Sequence, residues 1–237
     1  MEIVKVKTYE EMSRTVADLI MDEMKGNPQA VLGLATGSTP VGAYKLLAEA
    51  YKNKQADFGK ITTVNLDEYC GLTSDNSQSY RYFMNENLFK HVNIDRAKTH
   101  VPDGTADDPD AEGERYEKLI ESLGGIDLQL LGMGHNGHIG FNEPCEEFIA
   151  KTHRVYLDEQ TIKANSRFFT DGETVPESAI TMGIKTIMSA RKIVLAVSGN
   201  DKANMLKKVL FGSITPKVPA SVLQLHHNFI VVTDCLE

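Results

Sequence analysis

A leucine-rich tetrad, Leu-Gln-Leu-Leu, that runs straight into glycine constrains this chain more than any other stretch. Leu128 to Leu131 reads as a strand buried on both faces. Glycines follow at 132, 134 and 137, so the backbone can turn sharply and approach a ligand closely. Among and behind them stand His135, Asn136, His138, Asn142 and Glu143, and Pro144 forbids a helical continuation. A strand buried on both faces belongs to a sheet covered on either side, and open α/β sheets place their chemistry beyond the carboxyl ends of their strands. The stretch from Asp127 to Pro144 is therefore expected to be an active-site loop.

The rest of the chain repeats that strand-then-helix pattern. Further strands are expected at Ile3–Val6, Ala30–Ala35, Ile61–Leu66, Thr99–Val101, Lys192–Ser198 and Phe229–Thr233. Between them lie helical patterns. Thr8 and Glu11 form a capping box before Met12, Val16, Ile20 and Met24 at helical spacing. A second helix starts at Pro40, capped by Thr39 or Ser38, and reaches about Tyr51. Others cover Tyr80–Phe89, Asp108–Leu123 and the stretch after Gly199 to about Leu210. Strands and helices alternating in this way predict an α/β fold, a sandwich around a mostly parallel sheet. With no repeat or linker in view, residues 1–237 are read as a single domain. Residues 145–182 read as an irregular excursion with a short helix near Glu159–Asn165, of a length often found in lids.

Composition narrows the function. The chain has 237 residues and a net charge of −8, which argues against a general nucleic-acid or anionic-membrane surface. A small anionic substrate remains open, since a pocket can be locally basic. Three scattered cysteines suit a reducing compartment rather than a disulfide framework. Cys145 lacks a base placed beside it by the sequence and is read as a bystander thiol. With no apolar run long enough to span a bilayer and no leader-like start, a cytoplasmic protein is expected.

Three clusters carry chemistry. Thr36-Gly37-Ser38-Thr39-Pro40 links a strand to a helix, where backbone N–H groups and hydroxyls can cradle a phosphate; a plain capped turn is the alternative. Asp67-Glu68 closes the Ile61–Leu66 strand, as turn residues or as a base made more basic by desolvation. In the glycine stretch, Gly132 to Gly137 matches GxGxxG, but no helix can open there, so a nicotinamide cofactor is rejected. The spacing of His135, His138 and Glu143 fits no established metal site, so no metal is expected. His138 fits a proton shuttle oriented by Glu143 or Asn136. Arg167, between a polar turn and two aromatics, and Lys202, past the end of the Lys192–Ser198 strand, would complete a phosphate pocket with Thr36–Thr39, because a parallel sheet brings these strand ends to one side.

The segments LATGSTP (34–40), NLDEYCGL (65–72), GMGHNGHIGFNEP (132–144), NSRFF (165–169) and SGNDKA (198–203) resemble the glucosamine-6-phosphate deaminase family, over a span from about Val31 to the C-terminus. The resemblance implies a Rossmann-like three-layer sandwich with a lid at about 145–182. It also implies aldose–ketose isomerisation and deamination of glucosamine 6-phosphate to fructose 6-phosphate and ammonia, hydrolysis of a C–N bond without a cofactor. By position, Asp67 would move the C2 proton to C1, and His138 would open the sugar ring, assisted by Glu143 and Asn136. Thr36, Gly37, Ser38 and Thr39 with Arg167 and Lys202 would hold the 6-phosphate. The segment after the NEP motif, CEEFIAKTHRVYLDEQ, and Asn136 in place of an Asp set this chain beside the shorter, non-allosteric members, expected as monomers or small homo-oligomers. The alternatives are a 6-phosphogluconolactonase-like hydrolase and a non-enzymatic sugar-phosphate sensor.

Overall fold

The structure is a computed structural model that describes residues 1–157 and 175–236. Its centre is a seven-stranded, wholly parallel sheet built from β1 (Glu2–Lys5), β2 (Val31–Leu34), β3 (Thr62–Asn65), β5 (Thr99–His100), β6 (Leu128–Leu131), β9 (Lys192–Val197) and β10 (Phe229–Thr233), in the order β1-β10-β9-β6-β2-β3-β5. Every residue of β2, β6 and β10 is buried, the signature of strands covered on both faces.

Helices α1 (Tyr9–Gly26) and α2 (Val41–Lys52), with α3 (Tyr80–Asn87), pack on one face of the sheet. Helices α4 (Pro109–Ser122), α5 (Ile184–Met188) and α6 (Ala203–Phe211) cover the other. The sandwich thus has three layers, as expected. Thr8 caps α1 by accepting from the Glu11 amide at 3.2 Å, and Met12, Val16, Ile20 and Met24 are the buried stripe of that helix. Asp108 caps α4 through the Asp110 and Ala111 amides.

Two expectations need correction. Pro40 is itself the cap residue of α2, and neither Ser38 nor Thr39 caps the helix with its side chain. The hydroxyl of Tyr9 instead accepts from the Gly42 amide at 2.9 Å and donates to the Ser38 carbonyl at 3.1 Å. Nor is the 145–182 segment irregular at its ends. There β7 (His153–Tyr156) and β8 (Ser178–Thr181) pair antiparallel, and β8 pairs in turn with β4 (Asp67–Tyr69), making a second sheet. The expected short helix near Glu159–Asn165 lies outside the described residues.

Leu66 is the hinge between the sheets. Its N–H donates to Leu34 of the large sheet, and its carbonyl accepts from Met182, just past β8. Asp67 therefore starts a new strand one residue after β3 has ended.

Candidate active site

A cavity of about 240 Å³ opens beyond the carboxyl ends of β2, β3 and β6. Strands β2 and β6 are neighbours, yet the chain runs from β2 outward to β3 and β5, and from β6 outward in the other direction to β9 and β10. This is the point where strand order reverses, the crevice in which open α/β sheets bind ligands.

The turn after β2 supplies one wall, with Thr36, Gly37, Ser38 and Thr39 lining the cavity. Gly37 has φ +90°, a left-handed conformation that side chains rarely adopt. Ser38 and Gly37 are exposed, and the N-terminus of α2 has no side-chain cap, which leaves this turn suited to an anion.

Asp67 forms the floor. It is 5% exposed, and burial, followed by the neighbouring Glu68 charge, pushes its carboxyl up to about 8. Glu68, next along β4, points away from this cavity and accepts from the amides of Tyr69, Tyr80 and Arg81 at 2.8–2.9 Å. Burial still outweighs those three bonds and the Arg81 charge, and raises the Glu68 carboxyl to about 7. Tyr80, the first residue of α3, walls the cavity beside Asp67. Its ring stacks on Phe141 at 6.0 Å, and its hydroxyl lies 3.3 Å from that of Tyr69.

The glycine stretch brings in His138. Its amide donates to the Asn136 side-chain oxygen at 3.2 Å, while Asn136 Nδ2 donates to Glu143 Oε2 at 2.5 Å. His138 Nδ1 and Glu143 Oε1 stand 3.0 Å apart, a contact that is an ion pair when the imidazole is protonated. The two atoms are off the line of a good hydrogen bond, and among the described residues neither has another hydrogen-bond partner. Gly134 makes room for the ring: a Cβ there would lie 2.2 Å from His138 Cε1. At Gly140 (φ +57°), a Cβ would lie 2.9 Å from Thr181 Oγ1 and 3.4 Å from Asp67 Oδ2.

The small sheet ties these parts together. Thr181 sits directly opposite Asp67 in the β4–β8 ladder, and its hydroxyl accepts from the Phe141 amide at 3.1 Å. Asn142 Nδ2 donates to the carbonyls of Ile139 and Met182. The base candidate and the histidine loop are thus held on one scaffold of three short strands.

Asp67 and His138 line the same cavity as Thr36–Thr39, and Asn136 and Glu143 hold His138 from behind. Lys202 faces an adjoining recess that shares Ser38 and Thr39 with the first cavity. Its ammonium donates to the Met133 carbonyl at 2.8 Å, and burial lowers its pKa. Arg167 lies outside the described residues. Tyr80, Phe141 and Thr181 were not singled out from sequence. Their only sequence signal was the aromatic following a serine helix cap in Ser79-Tyr80, because their roles arise from the small sheet. Among the described residues no group of three or more His, Cys, Asp or Glu is arranged to hold a metal ion.

With that geometry in hand, comparisons decide the family. The model of the glucosamine-6-phosphate isomerases/6-phosphogluconolactonase family matches residues 5–232. The chain belongs to this isomerase/lactonase family. Within it, a glucosamine-6-phosphate deaminase from Lachnoclostridium phytofermentans is 54% identical over 237 residues, all of both chains. A glucosamine-6-phosphate deaminase from Clostridium perfringens is 51% identical over 234 residues, 99% of this chain and 97% of its own. A solved structure of a monomeric glucosamine-6-phosphate deaminase superposes with a TM-score of 0.94 at 48% identity, covering 98% of this chain and 97% of that one. The 6-phosphogluconolactonase of Thermotoga maritima reaches a TM-score of 0.74 at 20% identity, and shares the fold alone. The Rossmann-like reading of this family member therefore stands.

Proposed function

We propose that the protein isomerises and deaminates glucosamine 6-phosphate, giving fructose 6-phosphate and ammonia. The observation that carries this reading is the pairing, within one cavity, of a desolvated carboxylate and a carboxylate-backed imidazole beside a hydroxyl-rich turn. Its weight over a lactonase comes from relatives that share about half of the residues and are named as deaminases.

Each step has a group to perform it. His138 takes its place at the ring oxygen and moves the proton that opens the pyranose, with Nδ1 turned to Glu143 and Nε2 left for the substrate. Asp67, ionised, then removes the proton from C2 and returns it to C1, while the amino nitrogen gives up one proton and the C1 aldehyde oxygen gains one, so that C1 becomes an alcohol and C2 an imine. A carboxylate made more basic by burial is suited to a weakly acidic C–H. Water adds to the imine carbon, the C–N bond breaks, ammonia leaves and the C2 ketone remains. The chemistry needs neither a redox cofactor nor a metal.

The phosphate is anchored by Thr36, Gly37, Ser38 and Thr39, with Lys202 and Arg167 as cations and the 145–182 segment as a cover. Such anchoring supplies orientation, which can account for much of a rate enhancement. Further parts of the proposal are a single domain, a cytoplasmic monomer or small homo-oligomer, and no nucleic-acid or membrane partner. Among the described residues no helix is long and apolar enough to cross a membrane.

The test is ammonia release from glucosamine 6-phosphate, read beside hydrolysis of 6-phosphogluconolactone. Ammonia formed with the ketose phosphate in equal amounts is the expected result. Lactone hydrolysis without ammonia would replace this reading with the lactonase.

A further inference from the structure

Successive residues of a strand point to opposite faces, so Asp67 and Glu68 cannot enter the same cavity. Asp67 lines the cavity described above. Glu68 lines a second one behind β4, with Arg81, Thr73 and Asp103 among its walls. A carboxylate that is 2% exposed is costly to bury, and one without a job at the substrate needs a reason to be there. Its hydrogen bonds supply the reason. Glu68 Oε1 accepts from the amides of Tyr69 and Tyr80, and Oε2 from Arg81, so one side chain joins β4 to the first turn of α3. The residue thereby fixed, Tyr80, is the one that walls Asp67.

We propose that Glu68 is the positioning residue for Asp67: from the far face of β4 it clamps the start of α3 and holds the Tyr80 wall against the catalytic carboxylate. The proposal rests on the assignment of Asp67 as base. Electrostatics run the same way, because the Glu68 charge makes Asp67 harder to ionise. Among the described residues, the other titratable groups facing this pair are Tyr69 on β4, Tyr80 and Arg81 on α3, Asp103 across the second cavity, Tyr116 on α4, and His138 with Glu143 on the glycine loop. Only Arg81 among them is a permanent cation, and it faces Glu68. Glutamine at 68 would keep the size, remove the charge and present an N–H₂ donor to at least one amide that now donates.

The experiment compares the pH profile of kcat/KM for ammonia release by the parent enzyme, Glu68→Gln and Asp67→Asn. The substrate's amine titrates identically in every case, so a difference between profiles belongs to the protein. Glu68→Gln is expected to lower kcat about 10- to 100-fold, leave KM within about 3-fold and move the acid limb to lower pH. An unchanged kcat and acid limb, or a loss confined to KM, would overturn the proposal. Should Glu68→Gln fail to fold, Glu68→Asp keeps the charge and shortens the clamp by one methylene. It is then expected to lower kcat with KM kept, and parental kcat would overturn the proposal. Turnover surviving in Asp67→Asn would instead remove the base assignment and this proposal with it.

Discussion

Asp67 carries two consequences of the same burial. As a base it needs to be basic and close to the sugar, and its isolation from water provides the first. Asp67→Asn should cut ammonia release by about 10²–10⁴-fold. Glucosamine 6-phosphate should still bind the inactive variant, as calorimetry would reveal; loss of both would place Asp67 in binding. The second consequence is a stability cost. The folded-state pKa, about 8, lies above the ordinary 3.8. Across that window the native carboxyl keeps a proton that the unfolded chain has released, so the Asp67 contribution to stability is lost as pH rises toward 8. Asparagine cannot titrate. Asp67→Asn should therefore melt higher than the parent at pH 8, with the gap shrinking toward pH 4. A gain of about 1 kcal/mol would shift Tm by about 2–4 °C in a chain of this size. A melting difference independent of pH would contradict the linkage.

Elements decide whether these side chains meet. The glycine stretch works because Gly134 leaves space that the His138 ring fills, with a hypothetical Cβ only 2.2 Å from Cε1. Gly134→Ala should displace the ring and lower kcat about 100-fold, the usual penalty for misplacing a catalytic group by about 1 Å. Its far-UV circular dichroism should match the parent's. Removing the α4 cap with Asp108→Ala is the converse case, costing about 1 kcal/mol of stability with kcat kept, because no α4 residue is among those that line the cavity. Much of this was legible in the chain. Leu128–Leu131 and Phe229–Thr233 were bounded correctly, because short, mostly apolar runs flanked by breakers admit few readings. The second sheet was not legible. Its strands, DEY, HRVY and SAIT, are three or four residues long and carry mixed polarity, and β8 pairs with β4 across a gap of about a hundred residues, so no local period announces them. Asp67 and His138 could be named from sequence as chemistry. That Thr181 would tie their two segments together could not, since a threonine in a short strand looks like any other.

At the scale of the whole molecule, one sheet serves both hydrophobic cores. Residues of β2, β6, β9 and β10 contribute alternately to the cluster beneath α1 and α2 and to the cluster beneath α4 and α6. Neither core could come apart without stripping the strands that line the other, and the small sheet packs onto the same structure through Leu66 and Met182. Calorimetry should accordingly show one cooperative unfolding transition, with calorimetric and van't Hoff enthalpies in agreement. Two separable transitions would mean that the chain holds two domains. The cavity lies where strands β2, β3 and β6 end together, so a ligand seated there binds the folded chain and is released on unfolding. The transition should then move up as a whole with substrate, or with inorganic phosphate at the Thr36–Thr39 turn. Saturation at about 100 times Kd would add about 2.7 kcal/mol. Lys202→Met should weaken the phosphate-induced shift while leaving the unliganded melting point within about 1 kcal/mol of the parent's, as for other half-exposed surface changes. An undiminished phosphate shift in that variant would take Lys202 out of the anion site and leave the hydroxyl turn to hold the phosphate without it.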